Sequence, residues 1–165
     1  MSIMEATERM QYLTFQLAGE EYALGILRVR EIIQWQEVTR VPTAPAAIRG
    51  VLNLRGAVVP VVDLGVKFGL GATEPTRRTC IVIVEVEREG GQTVMGIVAD
   101  AVSQVMDLDD ADIEPPPSFG TRMRVEFLEG MARMGDRFAL VLNVDRLLST
   151  AELLSTEALA AADTE

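Results

Sequence analysis

The sequence predicts an all-β protein made of two similar small β units that pack together through a shared hydrophobic core. Three observations support this fold class. Apolar and polar residues alternate around short turns at two places, the same order of segments occurs twice, and 48% of the 165 residues are hydrophobic. Alternation with period two is typical of strands, and this apolar content excludes a disordered chain. Neither half has many apolar residues to spare, so we expect the halves to share a core.

A predicted hairpin opens each half. Residues 11–17 alternate, with Leu13, Phe15 and Leu17 on one face, and Gly19 lies in the turn before a second segment at 22–26. Residues 80–86 and 93–98 repeat this pattern around a polar turn at 87–92. Each half then offers about five short strands, which favours a small, strongly bent sheet or barrel.

The order of segments recurs with a slowly drifting spacing. Glycines at the ends of the hairpins are 71 residues apart, glycines after a later short segment are 80 apart, and aspartates that follow the last strand are 82 apart. These pairs are Gly25 and Gly96, Gly50 and Gly130, and Asp63 and Asp145. We interpret the drift as small loop insertions between two tandem β units.

Helices are predicted to be minor. Residues 152–162 are rich in Ala and Leu, and Ser149 or Thr150 can cap a C-terminal helix there, while residues 45–48 suit a single helical turn. The predicted organisation is one domain at 11–150, built of two subdomains with an intertwined boundary. An N-terminal tail at 1–10 precedes it, and a C-terminal helix or tail at 151–165 follows it.

Composition excludes several function classes. The chain has 25 acidic and 15 basic residues, a net charge of −10, one cysteine and no histidine. It therefore has no His-dependent catalytic triad, histidine metal ligand or internal disulfide. The acidity argues against binding to nucleic acid or anionic lipid. No stretch approaches the roughly 18 apolar residues of a membrane span, so we expect a cytoplasmic protein without membrane insertion. Cys80 lies in the apolar run 80–86 and is predicted to be a buried core thiol.

Two acidic features invite a chemical interpretation. Asp63 and Asp145 hold matching positions, so they could form a proton-sharing pair of an aspartate-dependent hydrolase, or each could simply cap the turn after its strand. The acidic run at 107–114 fails as a calcium loop because Asp112 stands where a glycine must turn, and Ser118 stands where a bidentate glutamate is needed. We predict a solvated turn or helix start there.

Two segments have compositions suited to holding a partner, with a solvated sheet surface as the alternative for both. Residues 50–56 place Asn53 and Arg55 beside glycines that bring the backbone close to the surface. Residues 27–32 alternate charged and branched side chains, which predicts two different strand faces. One face carries Arg28, Arg30 and Ile32, and the other carries Val29 and Glu31.

The residues of these segments resemble the CheW family of bacterial chemotaxis coupling proteins. The resemblance rests on Arg-Val-Arg-Glu-Ile at 28–32, Asn-Leu-Arg-Gly at 53–56, Pro-Val-Val-Asp at 60–63 and Gly-Ile-Val-Ala-Asp at 96–100, and it covers roughly residues 11–148. The same module occurs in the kinase CheA and in CheV. Since no kinase, dimerisation or receiver segment accompanies it here, a stand-alone coupling protein is expected.

The resemblance implies a fold of two small five-stranded SH3-like β-barrels in tandem, sharing a hydrophobic core, with short helices and a C-terminal helix. It also implies an adaptor without catalysis, cofactor or metal. Such a protein bridges the cytoplasmic tips of chemoreceptors to the regulatory domain of the histidine kinase CheA, and is recruited from the cytoplasm to membrane receptor arrays. The alternative function is that of a CheW-like scaffold in a non-flagellar chemosensory system.

The resemblance also implies a receptor-binding site. The residues that match the family's receptor-contact positions are Val29, Glu31, Gly50 and Arg55, and Val102 is expected to line the same groove between the barrels. Kinase contact is expected at exposed barrel ends.

Overall fold

The computed structural model of the chain describes residues 9–88, 91–115 and 125–148, and strands dominate them. The strands are β1 (Arg9–Leu17), β2 (Glu20–Gly25), β3 (Val29–Gln34), β4 (Ile48–Leu54), β5 (Ala57–Val62), β6 (Cys80–Arg88), β7 (Gly91–Ala99), β8 (Ala101–Asp109), β9 (Ile113–Glu114), β10 (Leu128–Met134) and β11 (Arg137–Leu142). The helices are α1 (Leu64–Lys67) and α2 (Val144–Leu147), and 3-10 turns lie at Ile26–Arg28, Asp110–Asp112 and Val125–Phe127. The all-β prediction with short helices is confirmed.

The strands form two sheets. Sheet A has six strands in the order β8-β1-β2-β11-β10-β9, and sheet B has five in the order β3-β6-β7-β5-β4. Both predicted hairpins are confirmed, because β1 pairs antiparallel with β2, and β6 pairs antiparallel with β7. The turn between β1 and β2 suits the right-handed twist of the strands, because Ala18 and Gly19 both have positive φ, at 53° and 82°.

The two hairpins are exchanged between the halves of the sequence. The first hairpin joins the strands of the second half in sheet A, where β2 runs parallel to β11 and Tyr22 lies opposite Leu140. The second hairpin joins the strands of the first half in sheet B, where β5 runs parallel to β7 and Val61 lies opposite Gly96. Each sheet is therefore built from both halves.

The hydrophobic core has three parts. One cluster lies within sheet B and includes Ile81 and Ile83, while a large cluster that draws on both sheets includes Val82, Val84 and Val86. Successive residues of β6 thus point into different clusters, which explains the unbroken apolar run in this strand. A third, smaller cluster lies within sheet A. The predicted shared core is the large cluster, to which strands of both sheets contribute.

The repeat has a constant offset of 80 residues where β4, β5 and α1 match β10, β11 and α2. The prediction that Asp63 caps the turn after its strand is confirmed, because its carboxylate accepts a 2.9 Å hydrogen bond from the Gly65 N–H at the start of α1. The matching cap of α2 is Asn143, which accepts from the Arg146 N–H at 3.1 Å. Asp145 lies inside α2, so pairing it with Asp63 at an offset of 82 was wrong by two residues.

Two local predictions also need correction. Residues 45–48 form a hydrogen-bonded turn, with the Ile48 N–H donating to the Pro45 carbonyl at 3.0 Å, and not a helix, since β4 already begins at Ile48. Cys80 is half-buried and not a core residue. It is the first residue of β6, and its thiol lies 3.5 Å from the Arg78 carbonyl. Burial still raises the pKa of the thiol.

The acidic run at 107–114 forms the predicted turn. β8 ends at Asp109, whose carboxylate accepts from the Ala111 N–H at 2.9 Å, while Asp112 accepts from the Asp109 N–H at 3.0 Å. This reciprocal capping starts the 3-10 turn. The predicted N-terminal tail at 1–10 was too long by two residues, because β1 begins at Arg9. Residues 1–8 and the predicted C-terminal helix lie outside the described residues. Within the described segments, no helix is long and apolar enough to cross a membrane.

Candidate partner-binding site

The tip of the β4–β5 hairpin carries the candidate residue Arg55. Arg55 and Gly56 are the two loop residues, since Leu54 pairs with Ala57, and both have positive φ, at 52° and 88°. This is the backbone of a type I′ turn, in which a glycine after a polar residue is favoured. The Asn53 side chain accepts a 2.9 Å hydrogen bond from the Gly56 N–H and fixes the loop. The local sequence therefore holds Arg55 at a rigid, projecting position.

Arg55 forms an ion pair with Glu31 of β3, the strand at the opposite edge of sheet B from β4. The side chain of Arg55 is 71% exposed and that of Glu31 is 30% exposed. Exposed pairs of this kind contribute only about 0–1 kcal/mol to stability. The Arg55 and Glu31 side chains can therefore turn to a partner with little loss of folding stability.

Val29 and Val102 are apolar positions at the margin of the shared core. Val29 begins β3 in sheet B and Val102 lies near the start of β8 in sheet A, and both are half-buried against the large cluster. Half-burial leaves each valine with an apolar surface that faces away from the core. Val29 and Val102 thus belong to different sheets, and both pack against the same large cluster.

Gly50 is buried in β4 and has no side chain to offer a partner. A Cβ atom built there would lie 2.4 Å from the Thr39 carbonyl oxygen and 2.9 Å from Val38 Cγ2. The register of the β4–β5 pair shifts at this point, between Ile48 and Gly50. Gly50 can therefore influence a partner only by placing the backbone of the hairpin that ends in Arg55.

The structure brings together part of the predicted site. Glu31 and Arg55 are in contact, Val29 lies two residues before Glu31 on the same strand, and Gly50 belongs to the hairpin that carries Arg55. Val102 lies on the other sheet. Four of the five residues therefore belong to β3 or the β4–β5 hairpin of sheet B, and the fifth belongs to sheet A.

The second face of β3 follows the predicted alternation in part. Arg30 and Ile32 are exposed, as predicted. Val29 and Glu31 were placed on one face wrongly, because the register of β3 shifts between them. They lie opposite Val84 and Ile83, which point into different clusters. Arg28 was placed with Arg30 and Ile32 wrongly, because it lies in the 3-10 turn before β3 and its guanidinium group binds Asp145. Leu27 in the same turn is 79% exposed, and the alternation of 27–32 gave no signal for this.

The two aspartates considered for catalysis lie in separate networks. Asp63 is fully buried, and its oxygens accept hydrogen bonds from Arg49 and Thr73 at 2.9 and 2.8 Å. Asp145 accepts from Arg28 and from the Glu87 N–H at 2.9 and 2.8 Å. A proton-sharing dyad needs the two carboxyls to bind each other. Here each is occupied by other donors, which leaves the hydrolase hypothesis without a site.

Neither the clefts nor the acidic side chains point to a reaction centre. A cleft of about 530 Å³ opens beside Trp35, Arg40, Pro42 and Arg49, and none of the five candidate residues lines it. Among residues 9–88, 91–115 and 125–148, no three His, Cys, Asp or Glu side chains are grouped so that they could hold a metal ion. What the candidate site offers is an exposed charge pair with apolar surface on either side, which suits binding and not bond-making.

Comparisons with known proteins agree with this picture. A family model described as the CheW-like domain matches residues 11–152. The chain is 37% identical to the protein named Chemotaxis protein CheW of Klebsiella aerogenes over 147 residues, which are 89% of this chain and 86% of that protein. It is 34% identical to the Chemotaxis protein CheW of Rhizobium meliloti, over 86% of this chain and 89% of that one. The crystal structure of the scaffolding protein TtCheW from Thermoanaerobacter tengcongensis matches with a TM-score of 0.76 and 34% identity, covering 87% of this chain and 90% of that one.

Proposed function

The chain belongs to the CheW-like domain family, and we propose that it couples the cytoplasmic tips of chemoreceptors to the regulatory domain of the kinase CheA. Proteins of this family are chemotaxis adaptors and scaffolds, not enzymes, and this chain is such an adaptor. The observation that supports a receptor contact is the exposed Arg55–Glu31 pair, held by a rigid hairpin tip beside the half-buried Val29.

The chemistry of the site fits a helical partner. A chemoreceptor tip is a long helical hairpin, and a helix laid in a groove is held by apolar anchors on one face. Val29 and Val102 would supply apolar contacts on the two sheets, and Glu31 and Arg55 would select charges on the partner and set its register. A contact of this type buries on the order of 1,000 Å² and binds modestly, so many copies in an array would supply avidity.

Binding of a receptor cytoplasmic fragment to Arg55→Ala tests this proposal. The expected result is about tenfold weaker binding, as for loss of one well-placed charged contact. The melting temperature should stay within about 1 °C, because the removed group is exposed and its ion pair adds little. Arg133→Ala is the matched control, since Arg133 makes a comparably exposed ion pair with Glu114 in sheet A. Equal binding by the wild type and Arg55→Ala would remove Arg55 from the receptor site.

We place the adaptor in the cytoplasm and at receptor arrays, with residues 11–150 as the binding module. A pull-down with both a receptor fragment and the CheA regulatory domain tests the coupling itself. Capture of the kinase domain by immobilised receptor fragment should require the adaptor and should fall with Arg55→Ala. Capture that does not depend on the adaptor would rule out the coupling function.

A further inference from the structure

Arg28 and Asp145 form a two-pronged link between distant parts of the chain. Arg28 Nη1 donates to Asp145 Oδ1 at 2.9 Å, and Arg28 Nη2 donates to Asp145 Oδ2. The same Nη1 also donates to the Glu85 carbonyl at 3.2 Å, and the Glu87 N–H donates to Asp145 Oδ1 at 2.8 Å. A bidentate arginine–carboxylate pair fixes direction as well as distance.

This link joins the two sheets. Asp145 lies in α2, directly after strand β11 of sheet A, whereas Glu85 and Glu87 lie in β6 of sheet B. Arg28 lies in the 3-10 turn where the chain crosses from β2 of sheet A to β3 of sheet B. The Arg28 guanidinium group therefore connects three segments. These are α2 at the end of sheet A, the backbone of β6 in sheet B, and the crossover between the two sheets.

The repeat has no second copy of this link. The residue that matches Asp145 at the 80-residue offset is Gly65 in α1, and a Cβ atom there would lie 2.4 Å from the Gly71 carbonyl oxygen. A side chain has no room at that position. The two sheets are therefore tied at one end by a directional polar contact, while the shared core between them is apolar and non-directional.

We propose that Arg28 and Asp145 are positioning residues for the receptor-binding site. Arg28 directly precedes Val29 at the start of β3, so the link sets where Val29 and Glu31 stand relative to Val102 on the other sheet. Without it, β3 keeps its backbone pairing with β6, in which Val29 lies opposite Val84, but the crossover before β3 loses its bond to α2. Binding must then order that crossover, which lowers the affinity for the partner. This inference rests on the proposed receptor contact.

A double-mutant cycle on receptor-fragment binding tests the inference. Arg28→Ala and Asp145→Ala should each weaken binding about tenfold, and the double variant should be no weaker than either single one, because one link is lost in each case. Measurements are made well below the melting temperature of every variant, so that the affinity reports folded protein. Arg28→Lys keeps the positive charge but cannot make the bidentate contact with Asp145, so it should recover part of the affinity.

Arg30→Ala is the control, because Arg30 is the next arginine along the chain and its pair with Glu85 stays within sheet B. It should bind the receptor fragment within about twofold of the wild type, as expected for an exposed surface pair. Hydrogen exchange at the Glu87 amide gives a second readout. It should quicken in Arg28→Ala and in Asp145→Ala, and stay slow in Asp145→Asn, whose side chain still accepts from that N–H.

The outcomes separate the inference from the function on which it rests. If the wild type fails to bind the receptor fragment, the proposed function falls and the inference falls with it. If the wild type binds and both single variants bind equally well, the function stands and the positioning role is wrong. If Arg28→Ala weakens binding and Asp145→Ala does not, Arg28 contacts the receptor directly, and the positioning role is again wrong.

Discussion

Gly50→Ala gives the sharpest test of how the candidate site is built. The new methyl group would lie 2.4 Å from the Thr39 carbonyl oxygen, 1.0 Å short of the 3.4 Å at which ordinary contact begins. Thr39 cannot move away freely. Its N–H donates to the Val51 carbonyl at 2.9 Å, and its carbonyl accepts from the Val51 N–H at 2.8 Å.

The expected cost follows from these contacts. Overpacking by one methyl group in a rigid site costs about 1–3 kcal/mol, and weakening the Thr39–Val51 bridge adds about 1 kcal/mol for each hydrogen bond lost. We therefore expect Gly50→Ala to lower the free energy of unfolding by about 3 kcal/mol. For a domain of this size, that lowers the melting temperature by about 10 °C.

Urea unfolding followed by tryptophan fluorescence measures this effect. Trp35 is the single tryptophan of the chain, and it packs beside Val38 against the cluster that lies within sheet B. Gly25→Ala is the matched control, since Gly25 has an ordinary φ of −58° and nothing within 4 Å of the added Cβ atom. It should leave stability within about 0.5 kcal/mol of the wild type. Gly130→Ala should behave like Gly50→Ala, because its Cβ atom would lie 2.5 Å from Ile113 Cγ2.

An unfolding free energy of Gly50→Ala equal to that of the wild type would refute the close approach of Gly50 to Thr39. A separate measurement addresses the partner. If Gly50 acts by placing the hairpin backbone, Gly50→Ala should also weaken receptor-fragment binding by its folded fraction. Full binding by the folded fraction would remove Gly50 from the receptor site.

Three further predictions concern buried and half-buried groups. Asp63→Ala removes the carboxylate that pairs with Arg49 and leaves the Thr73 N–H without its acceptor, so it should lower the unfolding free energy by about 3 kcal/mol, as chemical denaturation can measure. An unchanged midpoint would contradict the network. Burial raises the pKa of Tyr22 to about 12 from 10.0. The unfolded chain then binds fewer protons than the folded one between these values, and stability should fall by up to about 3 kcal/mol as pH rises through 10 to 12; the Tyr22→Phe variant should lose this slope. Cys80 should react with a thiol reagent in the native state at pH 8, but more slowly than in urea, since it is half-buried with a raised pKa; complete protection until unfolding would place it in the core after all.

The strands and hairpins could be predicted from the sequence because their signals are local. Alternation with period two marks β1, and Ala18-Gly19 supplies the turn that joins it to β2. The ion pair at the candidate site could be predicted only in part. Arg55 and Glu31 were each named through the family resemblance, but their contact brings together β3 and the β4–β5 hairpin, which stand at opposite ends of the strand order of sheet B.

Other features could not be predicted because they depend on contacts between distant segments. The half-burial of Cys80 depends on which segments pack against the start of β6, and the apolar run at 80–86 does not reveal this. Asn143 and not Asp145 caps α2, since the cap is chosen by where β11 stops, and both side chains are suitable acceptors. Arg28 and Asp145 are 117 residues apart, and nothing local marks them as partners.

The all-β class, the repeat of segments and the lack of histidine-based chemistry could all be read from the sequence, because composition, period and turn residues act over a few neighbouring positions. Which hairpin belongs to which sheet became clear from the folded chain. Both hairpins are pairs of apolar strands joined by a short turn, so either one satisfies the same local rules. Packing around the shared core selects the exchanged pairing of β2 with β11 and of β7 with β5. That pairing brings the two sheets together and leaves Arg28 at the crossover between them, within reach of Asp145.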